Sequence, residues 1–213
     1  MTTNELIDRL SAHLEPVDHR QVTRTLGSAL ALAVLAAIGA MWLTFGVRPD
    51  IKEPGALIFL IVKLVFAGSV VAITFVGLLK LARPGKPRRA IGLAAAFPFA
   101  VIAVLAAVTL LSTPSAPWDE LIIGHVWSKS PILIPIMAIV PYALIVWATR
   151  KAAPTQPVRT GALAGLVAGG IGAGAYALSC TEDSLPFVAC WYGGMIVLCA
   201  ILGALFGPRL LRW

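Results

Sequence analysis

The chain has 213 residues, of which 59% are hydrophobic and only 13% charged, with a formal charge of +7. An ordinary soluble domain carries roughly 25% charged residues, so the composition excludes a soluble catalytic domain and points to lipid as the surrounding solvent. The basic balance does not indicate nucleic acid, because a DNA-reading surface gathers its Lys and Arg on one face, whereas here they stand at the ends of apolar runs.

The chain opens with TTNELIDRLSAHLEPVDHR, in which Thr2 and Glu5 have capping-box spacing. Leu6, Ile7, Leu10 and Leu14 follow at helical spacing until Pro16 stops the pattern. The spacing predicts a short amphipathic helix within residues 1–24. A helix of that length is marginal in water, so its apolar stripe needs cover. Interfacial helices usually carry Lys and Arg on the polar face, but residues 1–18 set Glu5, Asp8, Glu15 and Asp18 against a single Arg9. That balance favours a protein partner, with surface docking or packing beneath the bundle as the other reading. No cleavable targeting peptide is expected, since the first 24 residues are polar and the apolar run after them is too long for a signal peptide.

About 20 apolar residues cross a hydrocarbon core of roughly 30 Å, and runs of that length fall at residues 25–47, 55–79, 90–112, 130–149, 160–179 and 186–206. Lipid offers backbone polar groups no partners, and the runs lack strand alternation, so helices are expected throughout. Proline-bearing or charged breaks separate them: RPDIKEP, LARPGKPRR, TPSAPWDE, RKAAPTQPVR and CTEDSLP.

Within the second run stands Lys63, an ionisable residue in a span and hence a functional candidate. The plainer readings are snorkelling to the surface or one buried structural hydrogen bond. The fifth run places Gly161, Gly165 and Gly169 on one stripe and Gly170 and Gly174 on a neighbouring one. Such ridges let helix backbones approach closely, within the bundle or at a dimer interface. Cys180 follows that run and is expected to be an exposed thiol, able in its thiolate form to be oxidised or to bind soft metals. The nearby Glu182 and Asp183 work against that reactivity. Cys190 falls one turn into the last run, and Cys199, deeper in it, reads as a small buried apolar residue.

Orientation follows from Lys and Arg in alternate connections. With the N-terminus cytoplasmic, the inner segments hold 13 of them and the outer segments only Arg48, Lys52 and Lys129. The expected architecture is an all-α integral membrane protein: a cytoplasmic segment, residues 1–24, and a six-helix transmembrane domain, residues 25–213, with both termini cytoplasmic. The sequence contains no nucleophile elbow, HExxH or phosphate loop, so neither an enzyme nor a cofactor or metal site is expected. No Asp, Glu or His accompanies Lys63 inside another span, which weighs against the alternative of a small transporter or channel.

Several stretches resemble one family. They are LARPG from Leu81, GHVWSKSP from Gly124, APTQP from Ala153, the YALSC that ends at Cys180, PFVACWYGGM from Pro186 and the terminal LGALFGPRLLRW. In order and spacing they are similar to the NrsF-type anti-sigma family, named for the negative regulator of sigma F. The resemblance implies a six-span inner-membrane protein of Gram-negative bacteria that holds an extracytoplasmic-function sigma factor inactive and releases it on an envelope stress signal. It also implies a sigma-contacting element around Leu6, Leu10, Leu14, Pro16 and Val17, and it marks Lys63 as a family-like position. Two departures bear on sensing. The family typically has cysteine where this chain has Ser130, and a His-Cys pair where it has Ser179 and Cys180. A serine hydroxyl neither forms a disulfide nor binds soft metals well, so Cys180 alone, or with Cys190, would have to substitute.

Overall fold

The computed structural model describes residues 19–51, 53–81, 89–114, 118–124, 130–152, 154 and 156–211. Six helices are long and apolar enough to cross a membrane. They are α1, His19–Thr44; α2, Pro54–Leu81; α3, Arg89–Ser112; α5, Ser130–Arg150; α6, Pro157–Ala177; and α7, Leu185–Leu210. A further short helix, α4, Trp118–Ile123, lies in the connection between α3 and α5. The sequence pattern does not announce it, because six residues are too few to show a period.

Proline starts or punctuates these helices as the breaks suggest. Pro54 and Pro157 open α2 and α6 and Pro186 lies in the first turn of α7, where a missing N–H is harmless. Pro98, Pro135, Pro141 and Pro208 sit inside helices, a position membrane spans tolerate. Helix α1 reaches back to His19, so residues 19–24 are already helical.

Large apolar side chains face outward, Leu43 at 84% and Leu111 at 82% exposure. A soluble surface this apolar would aggregate, whereas one immersed in lipid is covered. Inward faces follow helical spacing: Leu26, Ala29, Ala33, Ala37 and Met41 along α1, and Leu60, Lys63, Phe66, Val70 and Leu78 along α2.

Helix α6 is the centre of the bundle and packs against α1, α2, α5 and α7. Its glycines make this possible. A Cβ on Gly165 would stand 2.9 Å from Ala200 Cα, and one on Gly161 would stand 2.8 Å from Gly207 Cα, so α6 and α7 touch backbone to backbone. Gly170 meets Val71 and Ala67 of α2, and Gly172 meets Ile134 and Ala138 of α5. The glycine ridges therefore serve packing within this chain.

Two ends are distinct. One gathers the α1–α2 and α6–α7 connections and α4, tied by Arg48 N–H to Leu178 O at 3.0 Å and by Ser184 Oγ to Leu121 O at 2.8 Å. The other holds the last turns of α2, α5 and α7 and the first turns of α1, α3 and α6.

Candidate functional site: an ionic latch

Four charged side chains meet at the first end. Helix α1 stops at Thr44, and Gly46, at φ +70°, turns the chain in a region where L side chains are strained. That turn brings Arg48 inward until its side chain has no exposure. Its guanidinium grips two carboxylates in fork geometry. Nε and Nη2 donate to Asp50 Oδ1 and Oδ2 at 2.8 and 2.7 Å, and Nη1 and Nη2 donate to Asp183 Oδ1 and Oδ2 at 3.0 and 2.7 Å. Charge-assisted bidentate pairs of this kind are the strong class of hydrogen bond.

Lys63 completes the set from α2. Its ammonium donates to Asp183 Oδ1 at 3.1 Å, to Cys180 O at 3.3 Å and to Glu182 O. The side chain is fully buried, so it does not snorkel. The connection between α6 and α7 instead dips to meet it, and the acid the spans lack comes from Asp183 in that connection. Two buried cations face two partly exposed anions, which is what lets Arg48 and Lys63 sit away from water. The Arg48 guanidinium holds the Asp50 carboxyl down at about 2, and Asp50 and Asp183 together hold the guanidinium proton more firmly than usual.

The segment 180–184 is also held from its other side. Ser184 Oγ donates to Leu121 O of α4 and accepts Phe187 N–H at 3.3 Å, capping α7 while tying it to the third connection. Trp191 Nε1 donates to Ile122 O at 2.9 Å. Gly124, at φ +67°, passes so close that a Cβ there would meet Glu182 Oε2 and Phe187 Cδ2 at 3.0 Å. Residues Val188–Gly193 form a π-helical turn. Such a turn, whose bonds run i to i+5, is rare and frequently stands at functional sites. Beneath the latch, Phe187 and Tyr192 pack at a ring separation of 6.4 Å, and Tyr192 and Tyr176 at 5.7 Å.

Of the residues singled out in the sequence, Lys63 and Cys180 come together, through the Cys180 carbonyl. The expectation of an exposed Cys180 thiol is wrong: the residue is 2% exposed. Its N–H follows α6 to Tyr176 O at 3.1 Å, and the chain then folds it into the core alongside Phe187 and Tyr192. Cys190 is exposed on α7, and Cys199 is buried against α6, as its depth suggests. Ser130 is the first residue of α5. Leu6, Ile7, Leu10, Leu14 and Val17 lie outside the described residues. Among the described residues no cluster of three His, Cys, Asp or Glu is placed to hold a metal ion. Sequence reasoning missed Arg48, Asp50 and Asp183. The available signal was Arg48 itself, one of the rare cations on the sparsely charged side of the bundle, two positions before an acid.

Six apolar helices closed at one end by a charge-balanced polar cap define an all-helical integral membrane protein. Helix α6 packs backbone to backbone against α7, and among the described residues the buried charged side chains, Arg48 and Lys63, both belong to this cap. The chain belongs to the family described as negative regulator of sigma F, which it matches over residues 10–213. It is 30% identical to the anti-sigma-F factor NrsF of Caulobacter vibrioides and 29% identical to the probable anti-sigma-F factor NrsF of Azospira oryzae, each alignment covering the whole of both chains. No solved structure matches it.

Proposed function

We propose that this protein is an anti-sigma factor of the inner membrane that holds an extracytoplasmic-function sigma factor inactive and releases it on an envelope stress signal. The observation that carries this reading is the similarity, over the full length of both chains, to two proteins named as anti-sigma-F factors. The charge bias of the connections supports cytoplasmic termini and an outward-facing latch. In that orientation residues 1–24 are the handle for a soluble partner, with Leu6, Ile7, Leu10, Leu14 and Val17 as the contacting stripe.

The latch supplies a means of coupling. Arg48 stands four residues beyond the end of α1, and the far end of that helix leads into the N-terminal segment. At 1.5 Å per residue a 26-residue helix spans about 39 Å, enough to carry a movement from one membrane face to the other. A signal that separates Arg48 and Lys63 from Asp183 frees the α1–α2 connection and gives α1 a second position. Sigma release then requires that the two positions differ in affinity for sigma. Lys63, Cys180 and Ser130 belong to the sensing side in this scheme. Lys63 holds the Cys180 carbonyl, and a thiol buried beside it reports on opening rather than triggering it. Ser130, standing where the family has cysteine, removes a two-thiol trigger.

The test is direct. Residues 1–24 fused to a carrier should retain the sigma factor, and the intact protein should lower sigma-dependent transcription. If the peptide retains nothing and the intact protein also leaves transcription unchanged, the reading fails.

A further inference from the structure

We propose that the groove between α3 and α6 is a binding site for an anionic phospholipid, with an acyl chain along the groove and the phosphate on Arg159. The groove has a volume of about 660 Å³ and opens at the end opposite the latch. It exists because α3 leans mainly on α2 and on the first turns of α7, near the latch. Phe66 and Phe99 meet edge to face at 5.5 Å and fix the α2–α3 contact. Beyond Phe99 the α3 positions are small, Gly92, Ala95 and Ala96, and across the groove stand Ala162, Leu163 and Leu166 of α6.

Small residues in a membrane interface usually mark a close helix approach. Here they border a gap instead, and apolar walls that touch nothing forfeit their dispersion contacts. A lipid chain is the occupant the surroundings supply.

Charge selects which lipid. Arg159 is exposed at the mouth of the groove, and among the described residues its Nη1 donates a long bond, 3.3 Å, to Gln156 Oε1. The connections that flank this end, residues 80–89 and 149–159, contain Lys80, Arg83, Lys86, Arg88, Arg89, Arg150, Lys151 and Arg159 and no acid. Every acid among the described residues lies at the latch end or in its connections. Among the described residues this end therefore sets basic side chains and no acid around an open apolar slot, the complement of a phospholipid with net negative charge.

The experiment is native mass spectrometry of the full detergent-solubilised chain, titrated with phosphatidylglycerol and with phosphatidylethanolamine. Wild type should bind the first phosphatidylglycerol more tightly than the first phosphatidylethanolamine. Arg159→Gln should weaken the first phosphatidylglycerol about fivefold, whereas Lys151→Gln, the same charge loss on a residue seated over Trp147 away from the groove, should change it little. Ala162→Leu, which fills the slot, should weaken both lipids. Equal effects of the two charge removals would reduce the preference to general attraction and overturn the site. So would unchanged lipid binding by a folded Ala162→Leu variant, or a dimer mass that this variant abolishes.

Discussion

Asp183→Asn is the sharpest test of the latch. The substitution keeps the shape of the side chain and removes one of two negative charges, leaving Arg48 and Lys63 to share Asp50. Breaking a fully buried ion pair costs about 3–5 kcal/mol, because the surviving charge is stranded. The Asp183 side chain is 22% exposed, so water relieves part of this and about 2–3 kcal/mol is expected. For a chain of this size that corresponds to a fall in Tm of roughly 5–10 °C, read by thermal unfolding in detergent. Lys63→Met then provides the discriminating step. Alone it leaves one cation against two anions, but combined with Asp183→Asn it restores balance as an Arg48–Asp50 pair. The double variant should therefore be more stable than the sum of the singles by at least about 1 kcal/mol. Strict additivity, or an Asp183→Asn protein as stable as wild type, would show that the four charges do not act as a unit.

Acid should leave the Arg48–Asp50 pair intact over a wide range. Asp50 has its folded pKa lowered to about 2 from an ordinary 3.8, so its contribution is complete above the ordinary value and is lost only as pH falls through the folded one. The stability difference between wild type and Asp50→Asn should stay flat from pH 8 to about 5 and shrink only between about 4 and 2; a difference that fades near pH 6 would contradict the Arg48 pairing. Gly165→Ala should destabilise by about 1–3 kcal/mol, since its Cβ would enter the α7 backbone, whereas Gly68→Ala, with nothing within 4 Å, should be neutral or stabilising. A water-soluble maleimide should label Cys180 slowly in the wild type and several-fold faster in Asp183→Asn, with labelled peptides identified by mass spectrometry; equal rates would mean that the latch does not cover the thiol.

The spans were legible because lipid imposes length and apolarity directly on the sequence, and the glycine ridges because close packing demands small residues at fixed spacing. Lys63 stood out as a charge where charges are costly. Its partners did not, because Arg48 and Asp183 are 135 residues apart and each looks like an ordinary loop residue. Only the fold, by dipping the α6–α7 connection toward α2, makes them neighbours. The burial of Cys180 was hidden for the same reason, since a cysteine followed by Thr181, Glu182 and Asp183 reads as surface. The π turn at Val188–Gly193 leaves no trace in the apolar pattern, which is nearly continuous there.

The central helix has a consequence for biogenesis. Helix α6 is the most enclosed of the six spans and also the least apolar, since glycine replaces the leucines and valines its neighbours use against lipid. A translocon partitions nascent segments by their affinity for hydrocarbon, so this helix is a weak substrate on its own and gains its place only once α7 can dock along it. Nascent chains halted after Ala177 should therefore remain loosely inserted, and the last span, though final to emerge from the ribosome, completes the insertion of the one before it.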